Sequence, residues 1–154
     1  MRSKNELLKY GLNAEIEFMY ALNTLIDDEN VVIKKTTNKY APVDFIITNK
    51  QNDMKLYIEL KSRTQDISSY DSFMIGRSKL NSISKIYRND CVVLVWIDTH
   101  NHLFYKLYQD ELLNSQIKCI NGGDVLLIPK TDCRNSDISS LADCIKRYSN
   151  QILD

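Results

Sequence analysis

Four residues in the first half of the chain have the types and spacing of a metal-assisted hydrolytic site. Glu59-Leu60-Lys61 lies fifteen residues beyond Asp44. Both fall in apolar segments, Ala41-Pro42-Val43-Asp44-Phe45-Ile46-Ile47-Thr48 and Leu56-Tyr57-Ile58-Glu59-Leu60-Lys61. An ionised group inside a buried strand is costly unless it is paired or coordinates a metal. A divalent cation is the simplest compensation for Asp44, Glu59 and Lys61 together.

The two segments are rich in Val, Ile, Phe, Tyr and Thr, which predicts strands over 43–49 and 54–61. Asn49-Lys50-Gln51-Asn52-Asp53 between them is a turn-forming cluster. Pairing Asn49 with Met54 sets a register that places Asp44 directly opposite Glu59. Side chains alternate faces along a strand, so Glu59 and Lys61 share one face and Ile58 and Leu60 the other. Two opposed carboxylates repel, and one takes up a proton unless a cation lies between them. A slip of one residue would separate the pair.

A third acid comes from a long periodic segment that follows Ser3-Lys4-Asn5-Glu6, which has the form of a capping box. Leu8, Gly11, Leu12, Phe18, Met19, Leu22, Leu25 and Ile26 recur at three- and four-residue spacing. Glu15 lies on that stripe and Glu17 points away from it. The plainer reading of Glu15 is a stripe-edge residue reaching water. Gly11 weakens the helix by about 1 kcal/mol relative to alanine, and a close approach of another backbone is one reason to keep it.

The combination resembles the PD-(D/E)xK nuclease superfamily, the restriction-endonuclease-like fold. Gly11-Leu12-Asn13-Ala14-Glu15 is similar to the first-helix motif of Holliday-junction-resolvase-like members, and Glu59-Leu60-Lys61-Ser62-Arg63 to their third motif. The Tyr70 to Leu80 stretch is similar to nuclease-like proteins of large DNA viruses. The family's Pro-Asp pair stands here as Pro42-Val43-Asp44, with one residue inserted. The likeness covers about residues 5–108. It implies an α/β fold in the order αβββαβ, with a mixed central sheet flanked by helices. It also implies a catalytic set of Glu15, Asp44, Glu59 and Lys61. Mg²⁺ or Mn²⁺ would be held by Asp44, Glu59 and the Leu60 carbonyl, with Glu15 as a further ligand. Lys61 would orient or deprotonate the attacking water, or stabilise the developing charge. Ser62 and Arg63 would contact the substrate backbone. The implied activity is DNA phosphodiester hydrolysis, on branched or junction DNA in the resolvase-like case, with a role in recombination or repair. A homodimer is the implied assembly for a junction cutter.

Three rival readings stand beside this one. The first is an RNA endonuclease of the cap-snatching kind, though no His lies near Glu15. The second is a nuclease-like module that binds nucleic acid or protein without cutting. The third is an ordinary solvated sheet face. An acid-x-Lys triplet alone carries little, since Asp53-Met54-Lys55 is a second one at the turn mouth. The ordered conjunction of helix acid, strand Asp and strand Glu-x-Lys is what has weight.

Composition narrows the classes. The 154 residues suggest one domain over 1–154, long enough to bury a substantial core. No apolar run approaches the roughly 20 residues of a membrane span, and no secretory pattern opens the chain. An intracellular protein, of cytoplasm or nucleus or of viral origin, is expected. Lys and Arg number 20, as do Asp and Glu, so no global positive field draws in a polyanion. Local clusters must do so. Lys34 and Lys35 form one, and Arg77, Lys79, Lys85 and Arg88 the other; a solvated helix face is the equal alternative. Cys91, Cys119, Cys133 and Cys144 have no Cys-x-x-Cys spacing, which argues against a zinc site, and the lack of a secretory pattern argues against a disulfide framework.

Further elements follow from pattern. Val31 to Thr36 predicts a first strand. Residues 62–72 read as a polar loop over the site. A helix runs from Asp71 or Arg77 to Tyr87. Cys91 to Ile97 predicts a strand buried on both faces. His102 to Tyr108 is its hairpin partner, Val125 to Ile128 a late strand, and Asp137 to Leu153 a closing helix. His100-Asn101-His102 is assigned no role, and Trp96 is read as core.

Overall fold

The computed structural model describes residues 4–38 and 40–150. Ser3, the expected cap of the first helix, lies outside them. Helix α1 (Lys4–Ile26) leads into β1 (Val31–Lys35), β2 (Phe45–Asn49) and β3 (Lys55–Arg63). Then come β4 (Ser72–Gly76), α2 (Arg77–Ile86), β5 (Cys91–Asp98) and β6 (Leu103–Leu107). The chain closes with β7 (Gln116–Ile120), β8 (Gly123–Pro129), β9 (Arg134–Ser136) and α3 (Ile138–Ser149).

Six strands form the main sheet in the order β1-β2-β3-β5-β6-β9. Only the β3–β5 pairing is parallel among them. The α2 segment lies in the crossover between those two strands, as a parallel connection requires. The expected αβββαβ order is therefore present, with β4 added before α2. A second sheet, β4-β8-β7, was not expected. Its central strand β8 contains the expected Val125 to Ile128, but β4 is only five residues long and β7 is largely exposed, so the sheet around it is not marked in the sequence.

The main sheet is covered on both faces. On one, Phe18, Leu22 and Ile26 of α1 and Leu141 and Ile145 of α3 pack on Ile33, Phe45, Ile47, Leu56, Ile58, Leu60, Val93 and Val95. On the other, Leu80 and Ile83 of α2 and Phe73, Ile75, Leu126 and Ile128 of the small sheet pack on Tyr57, Val92, Leu94, Trp96 and Phe104. Trp96 is core as expected, and its indole N–H donates to the Met74 carbonyl at 3.1 Å. Strand β5 is buried on both faces because both layers rest on it.

The α1 stripe is narrower than its sequence suggests. Phe18, Leu22 and Ile26 are buried, but Leu12 and Leu25 are exposed. Six residues of helix turn Leu12 about 120° away from Phe18, off the row that meets the sheet. Gly11 is not demanded by a close approach. A Cβ there would meet nothing nearer than Ser62 Oγ at 3.9 Å, an ordinary contact.

Residues 62–72 are not loop throughout. Strand β3 continues to Arg63, and Ile67–Ser69 forms a short 3-10 turn with Ile67 fully buried. Asp98 anchors this segment. Its carboxylate accepts from the backbone N–H of Ile67, His100 and His102 at 2.8, 2.8 and 2.9 Å, and lies 3.0 Å from His102 Nδ1. Burial pushes the Asp98 carboxyl up, but these donors together outweigh it and hold the group below the usual carboxylate range. Removing the acceptor strands buried N–H donors. Asp98→Ala is expected to lose about 3 kcal/mol of stability, read by urea unfolding; an unchanged midpoint would show the anchor to be dispensable.

Candidate active site

The β2–β3 ladder has the expected register, with Thr48 opposite Lys55, Ile47 opposite Leu56 and Phe45 opposite Ile58. It departs from expectation at Asp44. The Asp44 N–H also reaches the Ile58 carbonyl, at 2.8 Å. Two consecutive residues thus face one, in the manner of a β-bulge, which re-aims the extra side chain. Asp44 is therefore not in a regular pair with Glu59. Its Oδ2 accepts from the Leu60 N–H at 2.7 Å. Thr36 holds the other side, its N–H donating to the Asp44 carbonyl at 2.8 Å and its hydroxyl to the Val43 carbonyl at 2.8 Å.

Strand alternation separates the core residues Leu56, Ile58 and Leu60 from Tyr57, which packs in the opposite cluster; Glu59 and Lys61 follow Tyr57 at two-residue steps. Glu59 is 1% exposed. Its Oε1 lies 3.8 Å from Lys61 Nζ and its Oε2 3.1 Å from Lys79 Nζ. No donor among the described residues meets Oε2 in hydrogen-bonding geometry. Burial, with the neighbouring Asp44 charge and opposed by Lys61 and Lys79, pushes the Glu59 carboxyl up to about 8. Burial pulls Lys61 down from its ordinary value; Glu59 opposes this, while Lys79 and Arg63 add to it.

Glu15 faces inward from α1 and pairs with Lys35 at 3.0 Å. Burial and the Asp44 charge raise its carboxyl, against the pull of Lys35. Asp44 thus acts electrostatically on both Glu15 and Glu59, so the three acids form one cluster. Glu17 is exposed, as expected.

The basic residues divide. Lys34 is exposed at the end of β1, whereas Lys35 is engaged by Glu15. Arg77 pairs with Asp124 of β8 at 3.3 Å. Lys79, read from sequence as part of a basic cluster for nucleic acid, pairs with Glu59 in the carboxylate cluster itself. Its neighbour Ser78 is exposed while Leu80 is fully buried, so helix α2 turns Lys79 between solvent and core. Only the packing of α2 reveals this, since nothing in the local sequence separates Lys79 from Arg77. The Ser62 carbonyl accepts from Arg63 Nη1 at 3.0 Å, and the Arg63 carbonyl accepts from the Tyr10 hydroxyl at 3.1 Å.

The donor set suits a hard divalent ion. Asp44, Glu59 and Glu15 offer carboxylate oxygens, and the buried Oε2 of Glu59, which has an ion-pair partner in Lys79 but no hydrogen bond, is the kind of atom a metal cation would satisfy. Among the described residues, the three-residue group whose ligand-type atoms all lie within 4.8 Å of one another is Asp66, Asp98 and His102, not Glu15, Asp44 and Glu59, which are linked through Asp44. There the Asp98 oxygens are already taken by backbone donors, so the group reads as an anchor.

A mixed sheet carrying this cluster on its second and third strands, with an acid from the first helix, is the restriction-endonuclease-like architecture. The structure is similar to that of D212, a nuclease from a fusselovirus, with a TM-score of 0.54, 17% identity, and 96% of this chain and 95% of that chain covered. It also matches Hjc, a Holliday junction resolvase of Archaeoglobus fulgidus, with a TM-score of 0.47, 10% identity and 84% and 97% coverage. No curated protein matches. The family described as "Phage putative PDDEXK endonuclease" matches residues 9–124, more than half of the chain. The chain belongs to that family. No helix among the described residues is long and apolar enough to cross a membrane.

Proposed function

We propose that this chain is a divalent-metal-dependent endonuclease that hydrolyses phosphodiester bonds in DNA. The observation that carries the reading is Glu59, a buried carboxylate beside Asp44 whose Oε2 has an ion pair but no hydrogen bond. Asp44, Glu59 and the Leu60 carbonyl would hold Mg²⁺ or Mn²⁺, with Glu15 as a further ligand. The ion supplies Lewis acidity at the phosphorus and lowers the pKa of water.

The chain's own residues supply the rest. Lys61 is pulled toward the neutral amine by burial and by the cations beside it, which suits a proton acceptor. Its Nζ takes the proton as water oxygen attacks phosphorus and the P–O bond to the leaving strand breaks. The Asp44 carboxylate is fixed by the Leu60 N–H, so the ligand set is preorganised before substrate arrives. Ser62 and Arg63, which follow Lys61 on β3, and Lys34 on β1 would meet substrate phosphates.

Branched DNA is the favoured substrate, given the likeness of Gly11–Glu15 and Glu59–Arg63 to resolvase-like motifs. Cutting both strands of a junction needs two such sites and hence a homodimer. The work of such an enzyme is inside the cell, where DNA is. A panel of branched and linear DNAs, with matched RNA, tests this in Mg²⁺ and in Mn²⁺, beside Glu59→Ala. Cleavage of DNA that requires metal and is lost in the variant is expected. Cleavage without metal, or an inert wild type, would overturn the reading, and cleavage of RNA alone would move it to the ribonuclease class.

A further inference from the structure

The carboxylate cluster is crowded with ammonium groups for a place that must receive a dication. Lys79 Nζ lies 3.1 Å from Glu59 Oε2, Lys35 Nζ 3.0 Å from Glu15 Oε2, and Lys61 Nζ 3.8 Å from Glu59 Oε1. These amines come from three elements, α2, β1 and β3. Lys79 and Lys61 offset the charge of the buried Glu59, and Lys35 that of the half-buried Glu15; a buried acid without a counter-charge is an expensive state.

An ammonium at 3.1 Å from a carboxylate oxygen cannot stay there without penalty once that oxygen holds a doubly charged ion. Lys61 is fixed two residues along the same strand as Glu59. Lys79 is different. It sits on a separate helix, on a flexible four-carbon stem, with its side chain 30% exposed. Its exposed part gives it a path toward solvent.

We propose that Lys79 is a placeholder cation: it neutralises Glu59 until a divalent ion binds, and is then released to hold a non-bridging oxygen of the substrate phosphate. Lys35 stands in the same relation to Glu15. The inference rests on the nuclease reading above. It makes ion loading and substrate capture successive uses of one side chain. The free enzyme keeps its acids neutralised, and the loaded enzyme gains a phosphate contact that the free enzyme lacks.

The signature is a pair of opposite signs. Removing one positive charge favours an incoming dication about twice as strongly as it favours a competing proton, so metal affinity rises. Phosphate binding by the loaded protein falls. Lys79→Met keeps the stem and removes the charge. Calorimetric titration with Mn²⁺, without DNA, is expected to show about tenfold tighter binding than wild type. In a Lys61→Ala background, which slows turnover, DNA affinity at saturating Mn²⁺ is expected to fall about tenfold, with little change in the absence of metal. Lys79→Arg, which keeps the charge, should stay near wild type in both measurements. Should Lys79→Met fail to fold by circular dichroism, Lys79→Gln carries the same test. Unchanged or weaker Mn²⁺ binding in the neutral variant overturns the inference, as does undiminished DNA binding by its metal-loaded form. A wild-type protein that takes up no Mn²⁺ at all would sink the nuclease reading itself, which separates the two failures.

Discussion

Glu59→Gln is expected to abolish cleavage, by a factor of about 10³ or more, while making the metal-free protein more stable at pH 8 to 9 by about 1–3 kcal/mol. The two effects have one cause. The folded-state carboxyl sits near 8 against an ordinary 4.5, because burial and Asp44 disfavour its charge. A raised acid pKa means that the folded chain prefers the proton. The resulting penalty is absent below the unfolded value and grows as pH climbs to about 8. Glutamine has the same shape and never ionises, so the penalty vanishes along with a ligand oxygen. Mg²⁺ should raise the melting temperature of the wild type and leave that of the variant unmoved. For the same reason, Mg²⁺ affinity of the wild type should climb between pH 6 and 8, with proton release on binding. A variant that still cuts, or that loses stability at pH 9, would remove Glu59 from the centre of the account.

Lys61→Ala is expected to lower the cleavage rate at saturating substrate by about 10²–10³, with metal and DNA binding retained. The lysine touches Glu59 only through a 3.8 Å ion pair, so the ligand oxygens survive its loss. A proton acceptor is needed only in the chemical step, so the rate constant should fall while KM holds. The acidic limb of the wild-type pH–rate profile should reflect deprotonation of an amine held below its ordinary range. Lys61→Arg stays charged and should not rescue. Rescue by arginine would mean that the side chain serves as a fixed positive charge; retained cleavage in the alanine variant would deny it any part in the step.

The sequence makes the main sheet and most of the cluster legible for a physical reason. Acids in apolar segments are anomalies, and Asp44 and Glu59 stand out against the Val, Ile and Phe around them. The turn at 50–53 determines the register, and the pairing through Phe45 and Ile58 follows it. The bulge at Asp44 was not legible. Its cause is a choice of hydrogen-bond partners, Ile58 carbonyl and Leu60 N–H, that leaves no trace in residue type. Lys79 and Lys35 were hidden differently. Both read as surface cations, and only the packing of α2 and β1 turns them onto Glu59 and Glu15. The small sheet is hard to read from sequence because β4 is only five residues long, with two inward apolar residues, and β7 is largely exposed. Asp98 could have been suspected from sequence, as an acid ending an apolar strand before a turn.

Strand β3 lines two different interiors, with Leu56, Ile58 and Leu60 in one and Tyr57 and Glu59 toward the other. Its length is consequently frozen. Gaining or dropping one residue would plunge the acid among hydrocarbon side chains and swing leucines into the polar hollow, wrecking solubility and chemistry at a stroke. Adjacent loops can lengthen freely during divergence, whereas this nine-residue segment tolerates substitution but no change of phase.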